Sequence, residues 1–192
     1  MPGRTTTPSA AIAGTMSRAW RRVCRAAIVL GVAAAPALAI EASAPAIEAA
    51  YLYKFGYFVK WPDAAFASSD SPLVLCIVGA DPFGAMLDDT VKGQKIGTRP
   101  ILLRRMSAVA RDSGCHIAYI TGGGGTAEAL AALRGSDVLT VTDAKGGDLG
   151  IINFVIKDDR VRFDIDAAAA ASGGLEISSR LLNLALAVRR VN

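Results

Sequence analysis

Leu73-Val74-Leu75-Cys76-Ile77-Val78-Gly79-Ala80-Asp81-Pro82-Phe83-Gly84 is the stretch whose reading decides the fold. Its apolar run has no polar alternation, is too short for a helix and stops at Gly79, which suits a strand covered on both faces in a parallel α/β sheet. Asp81 is placed to accept the free N–H groups of a following turn. Pro82 stands where its missing donor does no harm, so a helix is expected over Pro82–Thr90. A second apolar run, Cys115-His116-Ile117-Ala118-Tyr119-Ile120, repeats the pattern. It carries the cysteine best placed to meet Cys76.

Upstream of these strands, Arg18, Arg21, Arg22 and Arg25 precede an apolar run from Ala26 to Leu38 and the triplet Ala37-Leu38-Ala39. This is the pattern of a secretory leader with cleavage after Ala39. The run has 13 residues, under the roughly 20 that a membrane-spanning helix requires. Met16 is an alternative start to Met1, since residues 16–39 alone make an ordinary leader. Arg21-Arg22 fits a twin-arginine signal poorly, and Cys24 lies before the apolar run, which argues against a lipid anchor. Residues 40–192 then form one domain.

Residues 1–39 hold five of the 21 basic residues and none of the 17 acidic ones, so the remainder, 16 against 17, carries a net charge of −1. The basicity belongs to the leader, and no basic face is left for nucleic acid. Two cysteines in an exported chain point to one disulfide, Cys76 with Cys115, with two separate buried thiols as the alternative. A bridge closing a loop of about 40 residues contributes roughly 4 kcal/mol on the chain-entropy estimate.

In chain order, Ser43 and Pro45 open a helix with Ile47, Tyr51, Phe55, Phe58 and Val59 on one stripe, ended by Trp61-Pro62. A short strand is expected over Arg99–Arg104, a helical turn over Ser107–Arg111, a strand over Cys115–Thr121, a helix over Thr126–Arg134 and a strand over Val138–Thr142. Ile151–Lys157 and Val161–Ile165 read as an antiparallel hairpin around the three-residue loop Asp158-Asp159-Arg160. Ala167–Ala171 forms a short helix. Ile177–Arg189 forms a last one, with Ile177, Leu181, Leu184 and Val188 on one face. The fold class is a single α/β domain whose mixed, mostly parallel sheet is flanked by helices, with a C-terminal β-hairpin and helix.

Several stretches together resemble the YfiR-like family of periplasmic proteins: Ala50-Tyr51-Leu52-Tyr53-Lys54-Phe55 with Phe58, Val59, Trp61 and Pro62; Leu75–Gly84; Cys115–Ile120; Leu139-Thr140-Val141; Val161-Arg162-Phe163-Asp164-Ile165; and Gly174-Leu175 with Ile177-Ser178-Ser179-Arg180-Leu181-Leu182. They run in the family's order across almost all of residues 40–192. The chain departs from the pattern at Asp166, where the family often has Asn, and it lacks the further cysteine pair of some members. The resemblance implies an exported periplasmic regulator without catalytic activity or cofactor. It implies a partner too: the periplasmic sensor region of an inner-membrane diguanylate cyclase, whose inhibition lowers cyclic di-GMP and biofilm formation.

A rival class is a nucleotide- or small-ligand-binding protein or enzyme. Gly122-Gly123-Gly124-Gly125-Thr126-Ala127 fits G-x-G-x-x-A between a strand and a helix, and Asp143 follows 21 residues after Gly122, as in dinucleotide sites. Four consecutive glycines satisfy that pattern easily, so a flexible strand-to-helix loop is the plainer reading. His116, the one histidine, lies on a buried strand with no second ligand or nucleophile in reach, and reads as a satisfied core histidine. The pairs Asp88-Asp89 and Asp158-Asp159 read as solvated helix or turn ends. No metal ligand set is expected.

The aromatic residues Tyr51, Tyr53, Phe55, Tyr57, Phe58 and Trp61 circle their helix, more than one core-facing stripe needs. Tyr53, Tyr57 and Trp61, four apart, are therefore a candidate partner surface, and packing under a loop is the alternative. Leu182, Leu186 and Arg189 on the last helix are a second candidate surface, for a homodimer.

Overall fold

The structure, a computed structural model, describes residues 43–144 and 147–190. The expected leader lies outside them. The chain begins with helix α1 (Ala44–Lys54), with Pro45 in its first turn, and tightens into a 3₁₀ turn at Phe55–Tyr57. It does not run on to Trp61 as the aromatic spacing suggested. A Cβ on Gly56 would stand 3.0 Å from Ile96 Cγ1, so a larger residue at this turn would have to push that side chain aside by a few tenths of an ångström. Strand β1 (Val59–Lys60) then pairs antiparallel with β9 (Glu176–Ile177), and the Ser178 N–H donates to Phe58 C=O. Strand pairing has replaced the helix's last turn.

β2 (Leu73–Val78) is buried at all six positions. It runs parallel to β4 (Arg99–Met106) on one side and to β5 (Ile117–Ile120) on the other. Among the described residues the sheet has eight strands in the order β10-β8-β7-β6-β5-β2-β4-β3, with β3 (Lys95–Ile96), β6 (Leu139–Thr142), β7 (Ile152–Lys157), β8 (Arg160–Asp166) and β10 (Val188–Arg189). Only β3–β4 and β7–β8 are antiparallel. The expected mixed, mostly parallel α/β domain is the one observed.

Helices α1 and α2 (Ala85–Val91) cover one face of the sheet. Leu52, Phe55 and Leu87 there meet Leu75, Ile77, Ile117, Tyr119, Leu139 and Val141. Helix α3 (Thr126–Leu133) covers the other face, where Ala129 and Leu133 meet Val74, Cys76, Val78, Ala118 and Ile120. A strand sandwiched between two layers has no polar face to show, hence the unbroken apolar runs.

Asp81 does accept from the Phe83 and Gly84 N–H groups, at 2.8 and 3.1 Å, but it turns the chain one step before the helix, which starts at Ala85 rather than Pro82. The hairpin loop has two residues, not three. Asp158 and Asp159 both take positive φ, 51° and 56°, and Arg160 pairs with Lys157, the geometry of a type I′ turn, which aspartate tolerates better than most residues. The turn after β4 is a 3₁₀ turn at Arg111–Ser113 rather than Ser107–Arg111.

The last expected helix is the largest departure. Helix α4 (Ala167–Ser172), capped by Asp166 Oδ1 accepting from the Ala169 N–H, forms as expected. Beyond β9, however, only Ser179–Leu182 is helical (α5). The Leu186 N–H donates to Phe163 C=O and the Ile165 N–H to Ala187 C=O, drawing β10 in beside β8. An otherwise open edge of the sheet outcompetes the helix that the Leu- and Ala-rich run from Leu181 to Val188 would favour on its own. Leu184 and Leu186 are left exposed, and Arg189 bonds Asp166 at 2.6 Å, so the helical face proposed for a homodimer does not exist as a helix.

Candidate functional site

From β2 the chain crosses to β4 on one side and then returns to β5 on the other. The connections that leave the carboxyl ends of β2 and β5 therefore run to opposite faces of the sheet, and such a reversal is where open α/β sheets form ligand crevices. A cleft of about 520 Å³ lies there, floored by Val78, Val109, Ile120 and Ala129 and rimmed by Gly79, Ala80, Ser107 and the loop Gly122–Gly125. Its polar side chains are few.

The glycine loop and Asp143 are brought together as their spacing suggested. Asp143 Oδ1 accepts from the Gly122 N–H at 2.9 Å, and a Cβ on Gly122 would stand 3.3 Å from that oxygen. Thr126 Oγ1 accepts from the Gly123 N–H at 3.0 Å, pinning the loop from the helix side. Asp143 is thus engaged in holding the loop, whereas a dinucleotide site needs its acidic residue on the ribose. Glu128, in the first turn of α3, also lines the cleft. Its negative charge opposes a phosphate at that helix end.

On the opposite face of the same strand ends lies a buried ionisable group that the sequence reading passed over. Glu48 of α1 is 8 % exposed. Burial pushes its carboxyl up from 4.5 to about 7, with the charge of Asp143 adding to the shift. Tyr119 is fully buried and its hydroxyl has no hydrogen-bond partner among the described residues. Burial first, then Asp143 and Glu48, raise its phenol above the ordinary range. A signal for Glu48 was present: Glu48, Leu52 and Phe55 share one row of the helix, and that row, rather than one through Ile47, is the buried one.

His116 sits at the other end of β5, away from the cleft. Its Nδ1 accepts from the Val74 N–H at 3.0 Å, and its Nε2–H donates to Ala65 C=O at 3.0 Å. Both bonds together require the neutral ring, and burial lowers its pKa. The ring stacks on Phe66 at 4.3 Å, and the Arg99 guanidinium lies 3.6 Å over the Phe66 ring. This is a satisfied structural histidine. Beside it, Cys76 and Cys115 form a disulfide with Cα atoms 5.9 Å apart.

Of the proposed aromatic surface, only Tyr57 is well exposed, at 54 %, and its hydroxyl donates to Lys95 C=O at 2.7 Å. Tyr53 is half-buried against the core. Trp61 is 7 % exposed and packs edge-on to Phe66 at 6.4 Å, so the three do not make one surface. The helix they were meant to share ends before Trp61. Among the described residues no three His, Cys, Asp or Glu side chains converge as a metal would need, and no helix is long and apolar enough to cross a membrane. Compared with known families, residues 45–186 match the one described as YfiR/HmsC-like. Among curated proteins nothing matches the chain.

Proposed function

The chain belongs to the YfiR/HmsC-like family, and from that premise we propose that it is an exported, non-catalytic regulator that binds the periplasmic sensor region of an inner-membrane protein. By likeness to the founding type of the family, that protein is a diguanylate cyclase, held inactive while bound. The observation that carries this reading is the match over residues 45–186, which takes in nearly every described element. Two features of the site support it. The histidine has both ring nitrogens committed at the end of the sheet away from the cleft, and the cleft is lined by backbone and small or apolar side chains with Glu128 as its one carboxylate.

Deleting the gene is expected to raise cyclic di-GMP, and the tagged mature chain is expected to recover an inner-membrane cyclase from a membrane extract. An unchanged cyclic di-GMP level together with no cyclase recovered refutes the reading. A second reading is favoured by the cleft itself: a small ligand held by the backbone of Gly122, Gly123, Gly124 and Gly125. Engagement of Asp143 by Gly122 and the charge of Glu128 argue against a nucleotide there. The absence of any thermal shift with nucleotides is the expected result.

A further inference from the structure

β4 is eight residues long, but its outer neighbour β3 pairs only with Arg99 and Pro100, and one further bond runs from the Ile101 N–H to Gln94 C=O at 3.2 Å. Along a strand, backbone groups point alternately to the two sides. The Gly79 N–H donates to Met106 C=O, so Met106, Arg104 and Leu102 turn their N–H and C=O groups inward to β2. Leu103 and Arg105 turn theirs outward, where no described residue meets them. The register with β2 runs unbroken from Leu73–Ile101 to Val78–Met106, so no bulge or proline blunts this part of the edge.

The side chains along the edge say what would fit it. Leu102 is 47 % exposed. Beside it, Arg104 is exposed and donates to Ser113 C=O at 2.7 Å rather than to a carboxylate. Arg99 likewise donates to the carbonyls of Ser68 and Ser71, at 2.8 Å each. Among the described residues, only Arg105 of the β4 arginines is neutralised, by Asp81 at 2.6 Å and Asp88 at 2.7 Å.

We propose that the outer edge of β4 accepts an extended acidic segment of a partner protein as an added strand, with an apolar side chain beside Leu102 and a carboxylate beside Arg104. Backbone bonds to Leu103 and Arg105 supply the attachment, and alternate side chains supply the selectivity. A second copy of the chain is the poorer occupant, because it brings another uncompensated Arg104 to the same edge. The inference rests on strand geometry and charge, independently of whether the partner is a cyclase.

The test is an NMR titration of the mature chain, residues 40–192, with blocked nine-residue peptides of alternating Val and Thr that carry either two Glu or two Lys. Shifts and slowed exchange are expected at the Leu103 and Arg105 amides, with the Glu peptide binding about fivefold tighter than the Lys peptide. R104E is expected to reverse that order, and L102S, a second exposed substitution, to weaken both peptides. Absence of shifts at Leu103 and Arg105 up to millimolar peptide overturns the proposal, as does equal binding of the two peptides. A sedimenting dimer of the free chain with those two amides already protected assigns the edge to a second copy and overturns it too.

Discussion

Glu48 should make the stability of this protein fall as pH rises from about 4.5 to about 7, the reverse of what most carboxylates do. Its carboxyl is held at about 7 in the folded chain against an ordinary 4.5. The unfolded chain therefore releases this proton first. Below the ordinary value both states are protonated and nothing is lost. Between the two values stability declines, and above about 7 the full penalty of an ionised buried carboxylate is present. At about 1.4 kcal/mol for each tenfold change in proton affinity, the penalty is at most about 3.5 kcal/mol, of which about 2.5 kcal/mol falls between pH 5 and pH 8.5. Glu48→Gln keeps the shape and removes the charge. In urea unfolding with unchanged m-value, the variant's stability relative to wild type should rise by that amount across the interval. A difference that stays flat from pH 5 to pH 8.5 refutes the reasoning, since burial of the ionising group is all that separates the two proteins. Asp143→Asn removes the second contribution to the shift and should narrow the window from above.

Replacing Cys76 and Cys115 together by Ser should cost about 2–5 kcal/mol, read as a lower urea midpoint, whereas the oxidised wild type should show no alkylatable thiol at these positions under denaturing, non-reducing conditions. His116 is held neutral by burial, so the stability it contributes is present above its ordinary value of 6.5 and is lost as pH falls toward its lower folded value; a ring that titrates at or above 6.5 by NMR contradicts this. Trp61→Ala should lose about 3–5 kcal/mol as a core truncation, and Tyr57→Ala less than about 1 kcal/mol as a surface change, in thermal or urea melts. Equal losses contradict the burial assigned to the two aromatics.

The layered core was legible because burial on both faces leaves a mark that survives without neighbours. The runs at Leu73–Val78 and Ile117–Ile120 have no polar alternation, and each stops at turn residues. The hairpin was legible for its β-branched runs, though not its loop length, since whether Arg160 pairs or turns depends on two aspartates entering the left-handed region. What could not be read was set by partners distant in the chain. Leu181, Leu184 and Val188 recur at helical spacing, yet the edge of β8 claims the segment as a strand. Trp61 lies on a helical row in sequence but is drawn inward by Phe66 and His116. At the candidate site, the pairing of Gly122 with Asp143 was legible as a spacing, and its use was not: the carboxylate holds the loop. Glu48 was overlooked because a charged residue one step from Ile47 reads as the wet side of a helix until the neighbouring row is known to be the buried one.

The bridge from β2 to Cys115, just ahead of β5, also bears on how the chain reaches its fold. Cys24 belongs to the expected leader, so residues 40–192 hold two cysteines and a single way of joining them. Thiol exchange has no wrong partner to undo, and an oxidant alone, without reshuffling, suffices to complete the cross-link. The two sulfur-bearing positions are 39 apart in sequence, and the segment between them contains α2, β3 and β4. Oxidation before folding would still tie off that whole crossover as a loop, and the central strand would begin its search for neighbours with β5 already at its side.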